Sequence, residues 1–267
     1  MLRQRIITAF VLLLVSLFAL FMAPPLLWQG LVVLVVAIAA WEWTQFARLE
    51  KVGYRLSFVA LSVLLLSFGL FYGVSSFLVL MALIQLVLVV YGVTRFQITA
   101  GKPLFSQPLV NLAVGLLFMI SFGMALVWLR DIHSVWLLLL SLAMIWLVDT
   151  GAYFSGRRFG KHKLAPYVSP GKTWEGVIGG VLLAMSVALI TWFVFDINYQ
   201  PGLVVYVLGL SLIAGLSVYG DLFESLMKRQ VGLKDSGKIL PGHGGVLDRI
   251  DSLLLALPLY WIFWAFA

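Results

Sequence analysis

The sequence predicts an all-α polytopic membrane protein of about nine transmembrane helices, with a cytoplasmic N-terminus and the C-terminus on the opposite side of the membrane. Composition is the first observation: 63% of the 267 residues are apolar and 11% are charged, whereas soluble domains average roughly 45–50% and about 25%. The others are recurring apolar stretches of about 20 residues, long enough to cross a bilayer as helices, and basic residues gathered between alternate stretches. We therefore expect one membrane body without a separate soluble domain.

Nine apolar stretches are the candidate spans. The first follows two arginines, as a signal peptide would, but it continues to Pro24 and Pro25 without an A-x-A cleavage site, so we expect a retained helix. The weakest boundary is near Gly73, where small residues divide one long apolar stretch into two. The predicted spans are residues 6–23, 26–44, 56–72, 76–94, 109–129, 135–154, 175–195, 202–222 and 252–267.

The basic residues orient these spans. With the N-terminus in the cytoplasm, Arg130 is the only one of the 18 Lys and Arg residues on the opposite side. The positive-inside rule therefore favours nine spans and separate helices on either side of Gly73. We expect residues 1–130 to be a scaffold of helices with a candidate dimer surface, and residues 131–267 to carry a catalytic site at the cytoplasmic face.

Charge and cysteine content exclude several functions. The chain has no cysteine, so disulfide and thiolate chemistry are excluded. The net charge of +7 is explained by topology and by anionic lipid headgroups. No basic stripe with interleaved aromatic residues suggests a nucleic-acid partner. We expect membrane lipids as neighbours and a bacterial inner (plasma) membrane as the location, with an organelle membrane as the alternative.

The segment 148–176 contains the first candidate site. Asp149 lies inside or at the end of an apolar helix, where an unpaired carboxylate costs about 2.5–3.5 kcal/mol, so it should have a partner. Tyr153 would share its helical face. Ser169, Lys172 and Thr173 belong to a tight Ser-Pro-Gly-Lys-Thr turn just before the next helix, where backbone N–H groups suit a phosphate. The P-loop pattern is not met, and a topology anchor with a turn is the plainer alternative.

Acidic residues flank the second candidate site. Asp221 and Glu224 lie at the end of the eighth span, and Asp248 and Asp251 lie before the ninth. Because consecutive spans are antiparallel, both acidic ends should emerge on one side of the membrane. Carboxylates gathered in this way repel one another unless a cation compensates them. Oxygen ligands suit Mg²⁺, so we expect a magnesium site from these four residues, with a second cation as an open alternative.

Basic residues and glycines lie between these acids. Mixed Lys and Arg side chains suit several phosphates, and glycines let the backbone approach a ligand closely. Together with a metal, this is the equipment of phosphoryl or nucleotidyl transfer; a surface loop whose charges simply pair is the alternative. The candidates for contacting substrate are Ser225, Lys228, Arg229, Lys234, Asp235, His243, Gly244, Gly245 and Arg249.

At these residues the sequence resembles the phosphatidate cytidylyltransferase family, also called CDP-diacylglycerol synthases. The family signature runs Ser, Lys-Arg, Lys-Asp, a small residue, Pro, His-Gly-Gly, Asp-Arg and Asp. It is matched without a gap by Ser225, Lys228, Arg229, Lys234, Asp235, Gly237, Pro241, His243, Gly244, Gly245, Asp248, Arg249 and Asp251. The resemblance extends back through the 149–176 segment and covers roughly the C-terminal half, whereas residues 1–130 resemble the family only in size and hydrophobicity.

The resemblance implies the reaction CTP + phosphatidate → CDP-diacylglycerol + pyrophosphate, dependent on Mg²⁺, in a homodimer. Asp221 and Asp248 would be the leading metal ligands, with Glu224, Asp251 and Asp149 as further acids. His243 and its neighbouring glycines would shape the nucleotide pocket. Phosphate contacts would come from basic residues: Lys172, Lys228, Arg229, Lys234 and Arg249.

Two other functions stay open at this point. An ion-coupled transporter could use intramembrane acids such as Asp149, although the polar residues gather at one membrane face and no inverted repeat is visible. A cytidylyl- or phosphotransferase acting on another lipid, such as a polyprenyl substrate, would need the same equipment. The sequence does not measure the lipid pocket, so only the resemblance favours diacylglycerol.

Overall fold

The structure is a computed structural model that describes residues 2–195, 197, 200–240, 242 and 244–266, with the backbone alone for residues 2–9 and 12. Nine α-helices form the described part of the chain. They are α1 (Leu2–Met22), α2 (Pro25–Trp43), α3 (Val52–Tyr72), α4 (Ser75–Ile98), α5 (Pro108–Trp128), α6 (Val135–Phe159), α7 (Trp174–Val194), α8 (Gly202–Val231) and α9 (Leu247–Ala265). A π-helical turn, Leu129–His133, follows α5, and strands β1 (Lys163–Ala165) and β2 (Ser169–Thr173) lie between α6 and α7.

The predicted fold class is confirmed, and each predicted span coincides with a helix. Among the described residues, seven helices, α2 to α8, are long and apolar enough to cross a membrane. Helix α1 contains a shorter apolar segment, Leu13–Met22, and α9 begins with a charged turn. The predicted break near Gly73 is also confirmed, because Gly73 ends α3 in the left-handed conformation with φ of 61°, which glycine adopts without strain.

Two features were not predicted from the sequence. The 148–176 segment contains an antiparallel hairpin in which Lys163 pairs with Thr173 and Ala165 with Ser169. The predicted tight turn at Ser169–Thr173 is therefore wrong, because these residues form the extended strand β2. Helix α8 continues to Val231, nine residues beyond its predicted end at 222. At about 1.5 Å per residue its 30 residues exceed the roughly 30 Å hydrocarbon core. The first part of the polar motif, residues 225–231, is therefore helical, and the loop 232–246 connects it to α9.

Helices α5 and α9 form the centre of the bundle, and most residues of each are buried. An aromatic stack joins α5 to α2 and α8: the ring of Phe118 lies 5.7 Å from that of Trp43 and 5.1 Å from that of Phe223. The outer helices expose large apolar side chains, such as Phe71 at 83% and Leu109 at 82%. Such exposure suits a lipid environment.

Glycines bring α6 and α7 into close contact. A Cβ added to Gly151 would lie 2.8 Å from the Cα of Gly180, and one added to Gly180 would lie 2.5 Å from the backbone oxygen of Val148. Small residues at such crossings let helices pack closely in a membrane. The crossing fixes Asp149 on α6 relative to the hairpin that leads into α7.

Candidate active site

A cavity of about 510 Å³ lies where α6, β2, α7, α8 and α9 converge. The acidic residues that line it come from three helices that are distant in sequence. They are Asp149, Asp221, Asp248 and Asp251. Basic side chains from three segments share the lining: Arg157, Lys172 and Arg249. The two candidate sites of the sequence are therefore one site.

Lys172 and Asp221 form the ion pair that joins the hairpin to α8. The Nζ of Lys172 lies 2.5 Å from Oδ2 of Asp221, and the two side chains are 24% and 28% exposed. Ser225, one helical turn on, donates its hydroxyl to Oδ1 of Asp221 at 3.3 Å. Asp149 interacts electrostatically with both members of this pair. Asp149 is itself exposed in the structure, and Lys172 is the cation that interacts with it.

Asp248 is held much more firmly, in the first turn of α9. Its Oδ2 accepts hydrogen bonds from the backbone N–H groups of Ser236 at 2.9 Å and Gly245 at 2.8 Å. Its Oδ1 accepts one from Nζ of Lys228 at 2.7 Å, and the Lys228 and Asp248 side chains are 11% and 6% exposed. The carboxylate therefore organises the loop 232–246 while lining the cavity.

Lys228 and Glu224 lie behind this carboxylate and not in the cavity wall. Lys228 also forms an ion pair with Glu224, one turn earlier on α8, and both residues are buried. Neither lines the cavity. The roles suggested by the sequence, a phosphate contact for Lys228 and a metal ligand for Glu224, stay predictions. In the structure these two residues form ion pairs that hold Asp248 in place.

Four carboxylates supply oxygen atoms to the cavity, the ligand type of a hard cation. Asp251 interacts with Asp221, a like charge, and with the cations Lys172 and Lys228. Within the described residues, no three acidic or imidazole side chains already converge as a metal cluster. Asp221 and Asp248 line the same cavity, yet each carboxylate is paired with its own lysine. Their oxygen atoms fit a hard cation such as Mg²⁺.

The remaining predicted residues occupy several positions. Thr173 lines the cavity, and its hydroxyl caps α7 by accepting the N–H of Gly176 at 3.2 Å. Arg249 also lines it. Arg229 donates to the backbone oxygen of Val168 at 3.4 Å and so ties α8 to the hairpin.

Other predicted residues do not line the described cavity. They are Ser169, at the start of β2, Ser225, Arg229, and the loop residues Lys234, Asp235, Gly244 and Gly245. His243 and Pro241 lie outside the described residues.

Two residues of interest, Arg157 and Glu42, were missed from the sequence. Arg157 lines the cavity one turn after Tyr153, which was expected on the face of Asp149, and its guanidinium donates to the Tyr153 hydroxyl at 3.2 Å. Glu42, on α2, is buried against the loop that precedes α9. The signal for Glu42 was available: it is an acid inside an apolar stretch, the same feature that drew attention to Asp149.

A polar cavity with carboxylates and cations, built at the ends of membrane helices, defines an integral membrane protein equipped for phosphorylated substrates. The chain belongs to the cytidylyltransferase family, whose model matches residues 3–267. It is therefore a nucleotidyltransferase, and the family predicted from the motif is confirmed. The match also corrects the sequence-based extent, because similarity continues through the N-terminal half.

Individual relatives support the same family. The chain is 38% identical to the "Phosphatidate cytidylyltransferase" of Haemophilus influenzae over 288 residues, which cover 100% of this chain and 99% of the relative. It is 38% identical to the protein of the same name from Pseudomonas aeruginosa over 266 residues, covering 97% and 96%. A Staphylococcus haemolyticus protein of that name is 49% identical over 122 residues, 46% of each chain. The similarity to the last protein is thus limited to about half of the chain.

Proposed function

We propose that this chain is a phosphatidate cytidylyltransferase, which converts CTP and phosphatidate to CDP-diacylglycerol and pyrophosphate. One observation carries the proposal: Lys172, Asp221 and Asp248, from three separate segments, line one cavity in a chain whose full-length relatives bear this name. Charged groups of both signs in one membrane-embedded cavity suit a reaction between two phosphorylated substrates.

The chemistry needs positioning and charge neutralisation more than a strong base. The lipid phosphate is already ionised, so one of its oxygens can attack the α-phosphorus of CTP directly. A new oxygen–phosphorus bond forms, the bond to the oxygen that bridges to the β-phosphate breaks, and pyrophosphate leaves with the electron pair. Lys172, Arg157 and Arg249 line the cavity and would bind and orient the negatively charged phosphates.

Magnesium is the cation we propose for the carboxylates. Asp221 and Asp248 would hold it, with Asp149 and Asp251 as further oxygen donors from the same cavity wall. When bound, Mg²⁺ supplies positive charge that offsets the charge on the phosphates. A second cation belongs to the same proposal, because four carboxylates line the cavity. Lys228 and Glu224 would act behind the site by fixing Asp248.

The membrane orientation forms part of the proposal. Positive charge gathered at one end of the helices favours a cavity that faces the cytoplasm, and the bacterial relatives favour an inner membrane.

We propose a homodimer whose contacts come from the scaffold helices of residues 1–130, while residues 131–267 provide the cavity lining. The lipid's acyl chains would remain between helices with exposed apolar faces.

The decisive experiment uses purified protein in mixed micelles with CTP labelled in the α-phosphate. Phosphatidate should yield labelled CDP-diacylglycerol and unlabelled pyrophosphate, and EDTA should stop the reaction until Mg²⁺ is restored. A polyprenyl phosphate serves as the competing lipid. Product from the polyprenyl phosphate alone would reassign the lipid, and no CDP-lipid from either would refute the proposed function.

A further inference from the structure

Glu42 is a buried charge that the proposed reaction does not use. It lies in the last turn of α2, 1% exposed, about two hundred residues in sequence from the groups it contacts. Its Oε1 accepts the backbone N–H of Val246 at 3.1 Å, and its Oε2 accepts that of Leu247 at 2.8 Å. The hydroxyl of Ser236 also donates to Oε2, at 3.3 Å. A buried acid satisfied by donors alone is acting as a carboxylate acceptor.

These donors mark the beginning of α9. The N–H groups of Val246 and Leu247 belong to the residues that open the helix, where backbone donors have no partner within the helix. A carboxylate there satisfies them and interacts favourably with the positive end of the helix dipole. Asp248 is the next residue in the same turn, so the carboxylate that fixes Leu247 also fixes the direction from which Asp248 faces the cavity.

Ser236 connects the two carboxylates. Its hydroxyl donates to Glu42 at 3.3 Å and its backbone N–H donates to Asp248 at 2.9 Å. Its carbonyl oxygen accepts from the side-chain amide of Gln45 at 2.7 Å. Ser236 is fully buried. The loop is therefore held from α2 on one side and from α9 on the other.

The glycines of the loop make room for Glu42. A Cβ added to Gly245 would lie 2.6 Å from both carboxylate oxygens, and one added to Gly237 would lie 2.8 Å from the carboxyl carbon. Both distances are too short for a side chain. The family pattern has a small residue at position 237. Its close approach to Glu42, in the other half of the chain, gives the physical reason.

We propose that Glu42 is a positioning residue of the active site, an N-terminal-half carboxylate that fixes the loop 236–247 and thereby the orientation of Asp248. Only the expected effect of Glu42 on catalysis rests on the proposed function. The structural part, that Glu42 orders this loop, stands on the hydrogen bonds alone.

The test compares Glu42→Gln with Asn111→Ala. Glutamine preserves volume but replaces one acceptor oxygen with an amide that donates. Asn111 is a buried residue that bonds Trp43 in α2 and Phe46 just after it, without touching the loop. Loss of a hydrogen bond to a charged group corresponds to about a tenfold to hundredfold change in a rate or binding constant. We expect Glu42→Gln to lower kcat/KM by that factor and to raise the Mg²⁺ concentration for half-maximal activity by about tenfold. Asn111→Ala should lower the melting temperature while leaving the Mg²⁺ dependence unchanged.

Hydrogen exchange gives a readout that does not require turnover. Peptides that contain residues 236–247 should exchange faster in Glu42→Gln than in wild type, and at the wild-type rate in Asn111→Ala. Glu42→Asp, which keeps the charge on a shorter stem, should recover part of the Mg²⁺ response. If wild-type protein makes no CDP-lipid, the proposed function fails while exchange still tests the position of Glu42.

A folding failure would not leave the inference untested. If Glu42→Gln cannot be purified, Gln45→Ala removes one contact to Ser236 and leaves the carboxylate in place. It should raise exchange in the same peptides to a smaller extent. Wild-type exchange and wild-type Mg²⁺ dependence in Glu42→Gln would overturn the inference, as would wild-type exchange in Gln45→Ala where Glu42→Gln cannot be purified.

Discussion

Asp221→Asn and Asp248→Asn should both abolish CDP-lipid formation but should differ in stability. The two carboxylates line the same cavity, so loss of either removes a proposed Mg²⁺ ligand. Their surroundings differ: Asp221 shares a partly exposed ion pair with Lys172, whereas Asp248 is 6% exposed and bonds Lys228 and two backbone N–H groups. The same chemical change therefore has two different structural costs.

The magnitudes follow from burial. Removal of one partner from a buried ion pair costs about 3–5 kcal/mol, and Asp248→Asn should lie near the lower end because Glu224 still accompanies Lys228. For a chain of this size that corresponds to a melting temperature about 6–12 °C lower. An exposed pair contributes about 0–1 kcal/mol. Asp221→Asn should therefore shift the melting temperature by no more than about 4 °C, and it also relieves repulsion with Asp149 and Asp251.

The assay is thermal unfolding of purified protein in detergent, with and without Mg²⁺, beside turnover of labelled CTP. Added Mg²⁺ should raise the melting temperature of wild type and should stabilise both variants less. Glu50→Gln, an exposed acid outside the cavity, is the matched control and should behave as wild type in every measurement. The double variant should be little less active than either single variant, since residues that act as a unit are not additive.

Two results would refute this reasoning. Equal melting temperatures for Asp221→Asn and Asp248→Asn would mean that the hydrogen bonds of Asp248 do not contribute to stability as the structure implies. Retained activity in either variant would remove that residue from the set of essential ligands.

Three further predictions concern charge, topology and packing. Lys172→Ala should lower turnover at least about tenfold and change the melting temperature by no more than about 4 °C. Lys163→Ala, outside the cavity, is the control and should remain active. Wild-type kinetics for Lys172→Ala would mean that this loop serves only as a topology anchor. Reporter fusions after Lys163 and Lys238 should lie in the cytoplasm and a C-terminal fusion outside; an inside C-terminus would remove one span. Gly180→Ala places a Cβ against the backbone of α6 and should destabilise the protein by about 1–3 kcal/mol. Gly30→Ala, with open space around it, is the control and should not change stability. Equal melting temperatures for the two variants would show that α6 and α7 can move apart without loss of stability.

The sequence predicted the helices well because the bilayer imposes a simple rule on them. A stretch of about 20 apolar residues must hydrogen-bond its own backbone in lipid, so hydropathy alone locates the spans. The end of α8 at Val231 was missed for the same reason. Hydropathy falls where Asp221 leaves the apolar region, but helical hydrogen bonds do not depend on lipid and continue beyond it.

The candidate site was only partly predictable. The motif identified the family and the acids at two helix ends, and the cavity contains Asp221, Asp248 and Asp251 together. The resemblance assigned Asp149 and Lys172, from another segment, to the same site, but it did not reveal the packing that brings them into the same cavity. A helix crossing through Gly151 and Gly180 brings them there, and such a crossing depends on the shapes of two packed surfaces.

By itself, the sequence determined that this chain is a membrane bundle with a family motif rich in charge, because composition and residue order are local properties. The tertiary structure alone decided which charges meet. Lys172 pairs with Asp221, Lys228 pairs with Glu224 and Asp248, and Glu42 holds the loop before α9 from the opposite half of the chain. A charged side chain at a membrane face can pair with any opposite charge within reach, and only the packed positions of the helices fix which partner is near enough.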